Sequence, residues 1–222
     1  MRELYGQFSM SINNTLPVTL ADHLVLLGGI SANRVRLSPP PSLAAMEDLI
    51  TAHQQGSLCE LVDGTLVEKA IGYEQSVVAA TILRIIGWYV SKRGLGLVSG
   101  ADGFFQLQSS TRGPDVAFVA RERLPNGKMP GQAYPQIAPN LVVEVLSPGN
   151  TVAEMARKRM EYFHAGVQVV WMVDCHNRSV AVYTSSTQVQ VLGEVDAIEG
   201  GAALAGFTTQ VGAFFADLDF GI

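Results

Sequence analysis

The sequence predicts an α/β protein with a mixed, partly parallel central β-sheet flanked by helices. Short apolar runs such as Leu141 to Leu146 and Gln168 to Asp174, bounded by Pro, Gly and Asn, have the length and composition of buried strands. Between Glu74 and Lys92, in contrast, Val77, Val78, Ile82, Ile85, Ile86 and Tyr89 recur near helical spacing, with Gly94 just beyond, the pattern of a long helix with a glycine stop. A second helix is announced by the capping-box sequence Thr151-Val152-Ala153-Glu154, in which each end of the box satisfies a backbone donor of the first turn.

Taken in order, the elements divide the chain at one place. An N-terminal arm, residues 1–37, holds a single helix from Leu20 to Leu27 ended by Gly28-Gly29, and Pro39-Pro40-Pro41 separates it from a helix near Leu43 to His53. Residues 38–222 form one domain in this reading. Cys59 to Val62 and Thr65 to Lys69 flank Asp63-Gly64, a two-residue hairpin signal. Strands follow at Gly96 to Ser99, Phe104 to Gln108, Val116 to Val119 and Leu141 to Leu146, with a Pro- and Gly-rich loop from Leu124 to Pro139 between the last two. After the Thr151 helix, Gln168 to Asp174, Ser179 to Tyr183 and Gln188 to Leu192 extend the sheet, and Asn177-Arg178 turns between the first two. The C-terminal part, with Gly200-Gly201, Phe207 and a short helix from Val211 to Ala216, reads as packing.

Composition narrows the class. At 222 residues, 48% hydrophobic and 16% charged, the chain can bury a large core. Arg84 interrupts the most apolar stretch, Val77 to Val90, well short of the ~20 residues a membrane helix needs, so no membrane partner is expected. Glu3, Asp22 and His23 break any secretory-leader pattern, and the cytoplasm is the expected location. Cys59 and Cys175 lack CxxC spacing, and His23, His53, His164 and His176 lack ligand spacing; both sets read as ordinary buried or surface residues. The net charge of −5 repels phosphate, so nucleic-acid binding has to come from local clusters: Arg157-Lys158-Arg159, Lys92-Arg93, and Arg121 with Arg123.

The chemistry-bearing signal is a carboxylate inside each of two apolar runs, Asp115 in Pro114 to Val119 and Glu144 in Leu141 to Leu146. Acidic residues are depleted in strands, and an unpaired buried charge costs several kcal/mol. Period-two geometry points Val142, Glu144 and Leu146 the same way. One reading is a shared hard cation, Mg²⁺ or Mn²⁺. The other is that Asp115 ends a turn after Pro114 and Glu144 pairs with an arginine.

The ordered set Cys59 to Val67 with Glu60 before Asp63-Gly64, then Gly113 to Val119, then Leu141 to Pro148, then Lys158-Arg159 with Tyr162 and Gly166-Val167, then Val170 to Asp174 resembles the Uma2 family, described as restriction endonucleases. The resemblance covers residues from about 42 to 219 and implies a restriction-endonuclease-like, PD-(D/E)XK core. It implies catalytic roles for Asp115, Glu144, Lys158 and Glu60. Metal ligation would fall to Asp115, Glu144 and the Val145 backbone carbonyl, with Glu60 as an additional carboxylate. The fold class places a lysine two residues after its glutamate, yet that position is Leu146 here; Lys158 on the following helix is the implied substitute, with Tyr162 one turn further orienting it. For Glu60 an edge-strand charge paired with a lysine, and for Lys158 a plain helix-surface charge, are the competing readings.

The expected function is therefore metal-dependent endonucleolytic hydrolysis of DNA with Mg²⁺ or Mn²⁺ as cofactor. A catalytically inactive nuclease-fold domain that binds DNA or a protein partner, and a hydrolase of smaller phosphoesters, are the alternatives. Cleaving both strands of a duplex is most economical for a homodimer, and Leu24 to Leu27 of the arm are candidate contacts.

Overall fold

The computed structural model describes residues 19–219. In chain order its elements are α1 (Leu20–Leu26), α2 (Met46–Gln54), β1 (Cys59–Val62), β2 (Thr65–Glu68), α3 (Tyr73–Arg93), β3 (Gly96–Ser99), β4 (Phe105–Gln106), β5 (Ser110–Arg112), β6 (Val116–Ala120) and β7 (Leu141–Val145). Then come α4 (Val152–Ala165), β8 (Val169–Asp174), β9 (Ser179–Tyr183), β10 (Val189–Leu192), β11 (Ala197–Glu199) and β12 (Thr208–Gln210).

A six-stranded sheet in the order β10-β9-β8-β7-β6-β3 forms the centre. Its one parallel pair is β7 with β8, in register Glu144 opposite Met172; the crossover that parallel strands require is α4. Alternation along β7 sorts its side chains. Leu141, Val143 and Val145 join Trp171, Val173 and the α3 residues Val78, Ile82 and Ile86 in the larger core. Val142 packs with Met155 and Tyr162 of α4 and with Val170 and Met172 on the other face. Glu144 has the parity of Val142 and faces α4.

A second sheet, β2-β1-β5-β4, stands beside the first. The sequence suggested one strand from Phe104 to Gln108; there are instead two short strands, with β5 pairing Thr111 with Leu61 of β1. Strands of two and three residues leave almost no periodic trace, which is why β4 and β5, unlike the β1–β2 hairpin, are silent in the sequence. The Asp63-Gly64 turn takes left-handed backbone at both residues, φ 45° and 68°, as the mirror-image hairpin turn demands. The C-terminal stretch contains the β11–β12 hairpin, also unforeseen, and the short helix expected at Val211 is a 3₁₀ turn over Val211–Phe214.

The described part of the arm, residues 19–37, packs on this frame. Leu27, Ile30 and Val35 bury against Val62 and Val67 of the β1–β2 hairpin, while Val25 and Leu26 remain exposed. Arg34 forms a bidentate pair with Glu154 at 2.8 and 2.9 Å. Of the arm, residues 1–18 lie outside the described residues. Among the described residues no helix is long and apolar enough to cross a membrane.

Candidate metal centre

The site is assembled where three elements meet: the C-terminal end of β7, the residue before β6, and the buried face of α4. Glu144 sits on an all-buried strand and is 4% exposed. Lys158 and Tyr162, one turn apart on α4, both reach it. The Lys158 ammonium lies 3.3 Å from each Glu144 oxygen, and the Tyr162 hydroxyl donates to Glu144 Oε1 at 2.5 Å. Lys158 is 3% exposed and is also 3.0 Å from Glu60 Oε1, so it bridges two carboxylates.

Glu60, 1% exposed, is more heavily engaged than its strand position suggested. Arg112 Nη1 donates to its Oε2 at 2.7 Å, and the Gly113 N–H reaches Oε1 at 3.3 Å. Arg112 also donates from Nε to Glu161 at 2.7 Å, and Arg157 holds the other Glu161 oxygen at 2.7 Å. A continuous ion-pair chain therefore runs from Glu144 through Lys158, Glu60, Arg112 and Glu161 to Arg157. Burial of each member is tolerable only because its neighbours supply the opposite charge.

The pKa directions follow from who shares whom. Burial opposes ionisation of Glu60, but Lys158 and Arg112 together overcome it and hold the carboxyl down to about 2. For Glu144, burial outweighs the help of Lys158 and, more weakly, Lys69, the negative charges of Asp115 and Glu60 add to it, and its carboxyl is pushed up. Lys158 is held above its ordinary value, because Glu144 and Glu60 outweigh the cost of burial. It is an ammonium at neutral pH and cannot serve as a base. Burial, reinforced by the nearby Glu144 charge, keeps Tyr162 a phenol.

Asp115 stands at the wetter end, its side chain 19% exposed. Its Oδ2 accepts the Val145 N–H at 2.8 Å, and its own N–H binds the Val143 carbonyl at 3.1 Å. Odd residues of β7 thus turn their polar groups toward β6, which places the Val145 carbonyl on the Asp115 edge. Lys69, just past β2, was not singled out from the sequence. Its ammonium lies 3.2 Å from Asp115 Oδ1, 2.6 Å from the Gly113 carbonyl and 3.0 Å from the Ala101 carbonyl.

Of the sequence-derived residues, the structure joins Glu144, Lys158, Glu60 and Tyr162 in one buried cluster and puts Asp115 and Val145 at its rim. It does not gather three carboxylates as a cage: among the described residues no three His, Cys, Asp or Glu side chains group to hold a metal. Both Glu60 oxygens are committed to cationic or N–H donors. The oxygens of Asp115 are engaged by Lys69 and the Val145 N–H, and those of Glu144 by Lys158 and Tyr162. With the Val145 carbonyl they are the candidate set for a hard divalent cation, which would have to take the place of an ammonium.

Most cations of the basic clusters are engaged within the protein. Arg157 is tied to Glu161, the Leu26 carbonyl and Asp63, Lys158 is buried, and Arg159 donates to the Ser186 carbonyl and lies over Tyr183. Arg123 binds the carbonyls of Ala138, Pro139 and Gly166, and Arg93 stacks on Tyr89. His23 bonds Thr65 at 2.9 Å and His53 bonds Tyr134 at 2.7 Å, ordinary satisfied roles. Arg112 and Glu161 escaped the sequence reading; the visible trace was a charge in the Thr111-Arg112-Gly113 run directly before Pro114.

A family model described as Uma2, "putative restriction endonuclease", matches residues 43–212. The fold is similar to a crystal structure described as a "putative nuclease belonging to DUF820" from Anabaena variabilis, with a TM-score of 0.64 and 17% identity over 71% of this chain and 89% of that one. At that identity the likeness is one of fold. No curated protein matches the sequence.

Proposed function

The chain belongs to the Uma2 family, and on that premise we propose that it is a metal-dependent endonuclease hydrolysing DNA phosphodiester bonds. One observation carries the reading: Asp115 and Glu144 come to the same sheet end on adjacent strands, with Asp115 hydrogen-bonded to the residue after Glu144 and an ammonium of α4 behind. Asp115, Glu144 and the Val145 carbonyl would hold Mg²⁺ or Mn²⁺. Such an ion supplies polarisation of the phosphoryl group and a water of lowered pKa.

The protein's own residues do the rest. Lys158 favours the ionised form of Glu144 against burial and fixes it in place, and Tyr162 orients it from the same helix face. Glu60 serves Lys158 rather than the ion, since Arg112 and Lys158 occupy its oxygens. In this reading the lysine that the fold class places two residues after the glutamate has moved to α4, leaving Leu146 among the apolar contacts of Met155 and Met172. A homodimer would bring two such centres to a duplex, with the exposed Val25 and Leu26 as contacts. Light scattering on the full chain tests it; a monomer at all concentrations leaves nicking of single strands as the activity.

The deciding experiment is plasmid nicking in Mg²⁺ or Mn²⁺ beside Glu144→Ala. Conversion of supercoiled to open-circular DNA by the wild type alone is expected. Equal conversion by both proteins, or none by either, removes the proposal. A second reading, a nuclease-fold domain that binds nucleic acid or a protein without cleaving it, draws on the ammonium already seated at each carboxylate. Manganese titration separates the two, because only the nuclease reading requires binding that Asp115→Ala abolishes.

A further inference from the structure

The two lysines at the carboxylates differ in what they can meet. Lys158 lies under Glu144 with its ammonium shared between Glu60 and Glu144; it is enclosed, and its charge is spent on two carboxylates. Lys69 instead stands in the wall of a 580 Å³ cleft together with Asp115. The rest of that cleft is largely apolar, with Leu58, Ile71, Tyr73 and Leu83 among its walls, and Ile71 and Tyr73 strongly exposed at its edge.

Lys69 is also held in an unusual way. Two of its three oxygen partners, the carbonyls of Ala101 and Gly113, are neutral, so they fix the ammonium in place and only Asp115, at 3.2 Å, offsets its charge. These carbonyls come from the β3–β4 and β5–β6 connections, and the stem is anchored because the Lys69 N–H pairs with the Leu58 carbonyl at 2.9 Å. With a side chain 6% exposed, it is a pre-positioned cation at the cleft floor. Arg157, Arg159 and Arg123 are engaged with carboxylates or carbonyls, and the chain as a whole carries −5.

We infer that Lys69 is the cation that contacts the phosphate of the substrate in this cleft, and that Lys158 is a positioning residue for Glu144. The inference rests on the nuclease reading and adds to it the route by which the polyanion enters: along the Lys69–Tyr73 side of the cleft, with a phosphate at Lys69 beside Asp115. A point charge on a flexible stem suits a phosphate oxygen, and preorganised charge needs no rearrangement as negative charge develops.

The test uses the full chain, Lys69→Met, Lys69→Arg and Lys158→Met. Binding of a short DNA duplex, in Ca²⁺ to hold cleavage off, is followed by fluorescence anisotropy against salt concentration. Lys69→Met should weaken binding at least about tenfold and reduce the slope of log affinity against log salt by about 0.9, the value for one lost phosphate contact. Lys69→Arg should restore both, which a merely structural role would not predict. Plasmid nicking should fall by about 10²-fold in Lys69→Met, the scale for removing one preorganised donor, while Mn²⁺ binding is kept. Lys158→Met should lose nicking together with thermal stability but keep the wild-type salt slope in whatever fraction is folded.

Wild-type binding and cleavage with an unchanged slope and rate in Lys69→Met would overturn the assignment of Lys69 and leave the nuclease reading standing. A wild type that neither binds duplex nor nicks plasmid overturns both.

Discussion

The two ends of the site use the same pair chemistry, lysine on carboxylate, in opposite surroundings. At the sealed end Lys158, Glu144 and Glu60 are each under 5% exposed and are compensated by Arg112 and Glu161 in a chain of ion pairs. At the open end Lys69 meets Asp115 at 3.2 Å with Asp115 19% exposed, and two neutral carbonyls complete its shell. The difference lies in partners and place: Lys158 is shared between two carboxylates, whereas Lys69 meets one carboxylate and stands in the wall of the cleft. Removing a partner from a dry network strands a charge, whereas water and rotamer changes cushion the loss at a cleft.

The largest expected effect breaks the sealed end. Arg112→Leu leaves Glu60 and Glu161 without their shared guanidinium and should cost about 3–5 kcal/mol of stability, read by urea unfolding. Adding Glu60→Leu should return part of that loss, because the stranded charge leaves with its partner. If Arg112→Leu costs no more than Lys69→Met, the contrast between dry and wet ends does not hold.

Next in size is the hairpin that serves both ends, since β1 carries Glu60 and the chain after β2 carries Lys69. Gly64 has φ +68° and a Cβ there would lie 2.7 Å from the Ser42 backbone, so Gly64→Ala should destabilise by about 1–3 kcal/mol. It should depress metal binding and duplex binding together, where Lys69→Met affects only the second.

The acid side of the stability curve offers a finer discrimination. Glu60, Glu154 and Glu161 have folded carboxyls below their ordinary value of 4.5. The unfolded chain therefore takes up protons first as pH falls, and their contribution, complete above 4.5, is lost as pH drops through the folded values, to about 2 for Glu60. Glu144 acts with the opposite sign. Its raised carboxyl makes the folded state the better proton acceptor, so stability should rise as pH is lowered toward 4.5. Thermal melts across this range should show a gain in mild acid that Glu144→Gln removes, followed by a loss that it retains. A curve already falling between neutrality and 4.5 would contradict the assigned direction.

The smallest change is Tyr162→Phe, which deletes one hydrogen bond to a buried carboxylate at a cost of about 1–3 kcal/mol while leaving Lys158 in place. Nicking should fall by less than in Lys69→Met, and duplex binding should keep its salt slope. Loss of duplex binding in this variant would place the substrate at the sealed end.

Much of the architecture was legible in the sequence because the long elements carry period. The α3 stripe, the β7 and β8 runs, the Asp63-Gly64 turn and the Thr151 cap each obey a local rule. Asp115, Glu144 and Glu60 were visible as charges where apolar neighbours make charge expensive, and Lys158 through its place in the family pattern. Arg112 and Lys69 were not, for a physical reason: one lies on a three-residue strand and the other in the Glu68-Lys69-Ala70 exit from a hairpin, where charge is ordinary. Their meaning arises only from what β1, β6 and the Gly113 carbonyl bring to them, and such pairings are invisible to periodicity.

The ion-pair chain joins positions far apart along the polypeptide, Glu60 with Lys158, and the separate pair of Arg34 with Glu154 spans 120 residues. A nascent chain that has not yet delivered α4 holds Glu144 without its lysine and Glu60 with Arg112 alone, so the charges of the centre are not yet balanced. Closure of the centre thus waits for residue 158, and long-range closure of this kind is intrinsically slow. A copy cut short before α4 consequently carries the acidic residues of the centre without a formed centre.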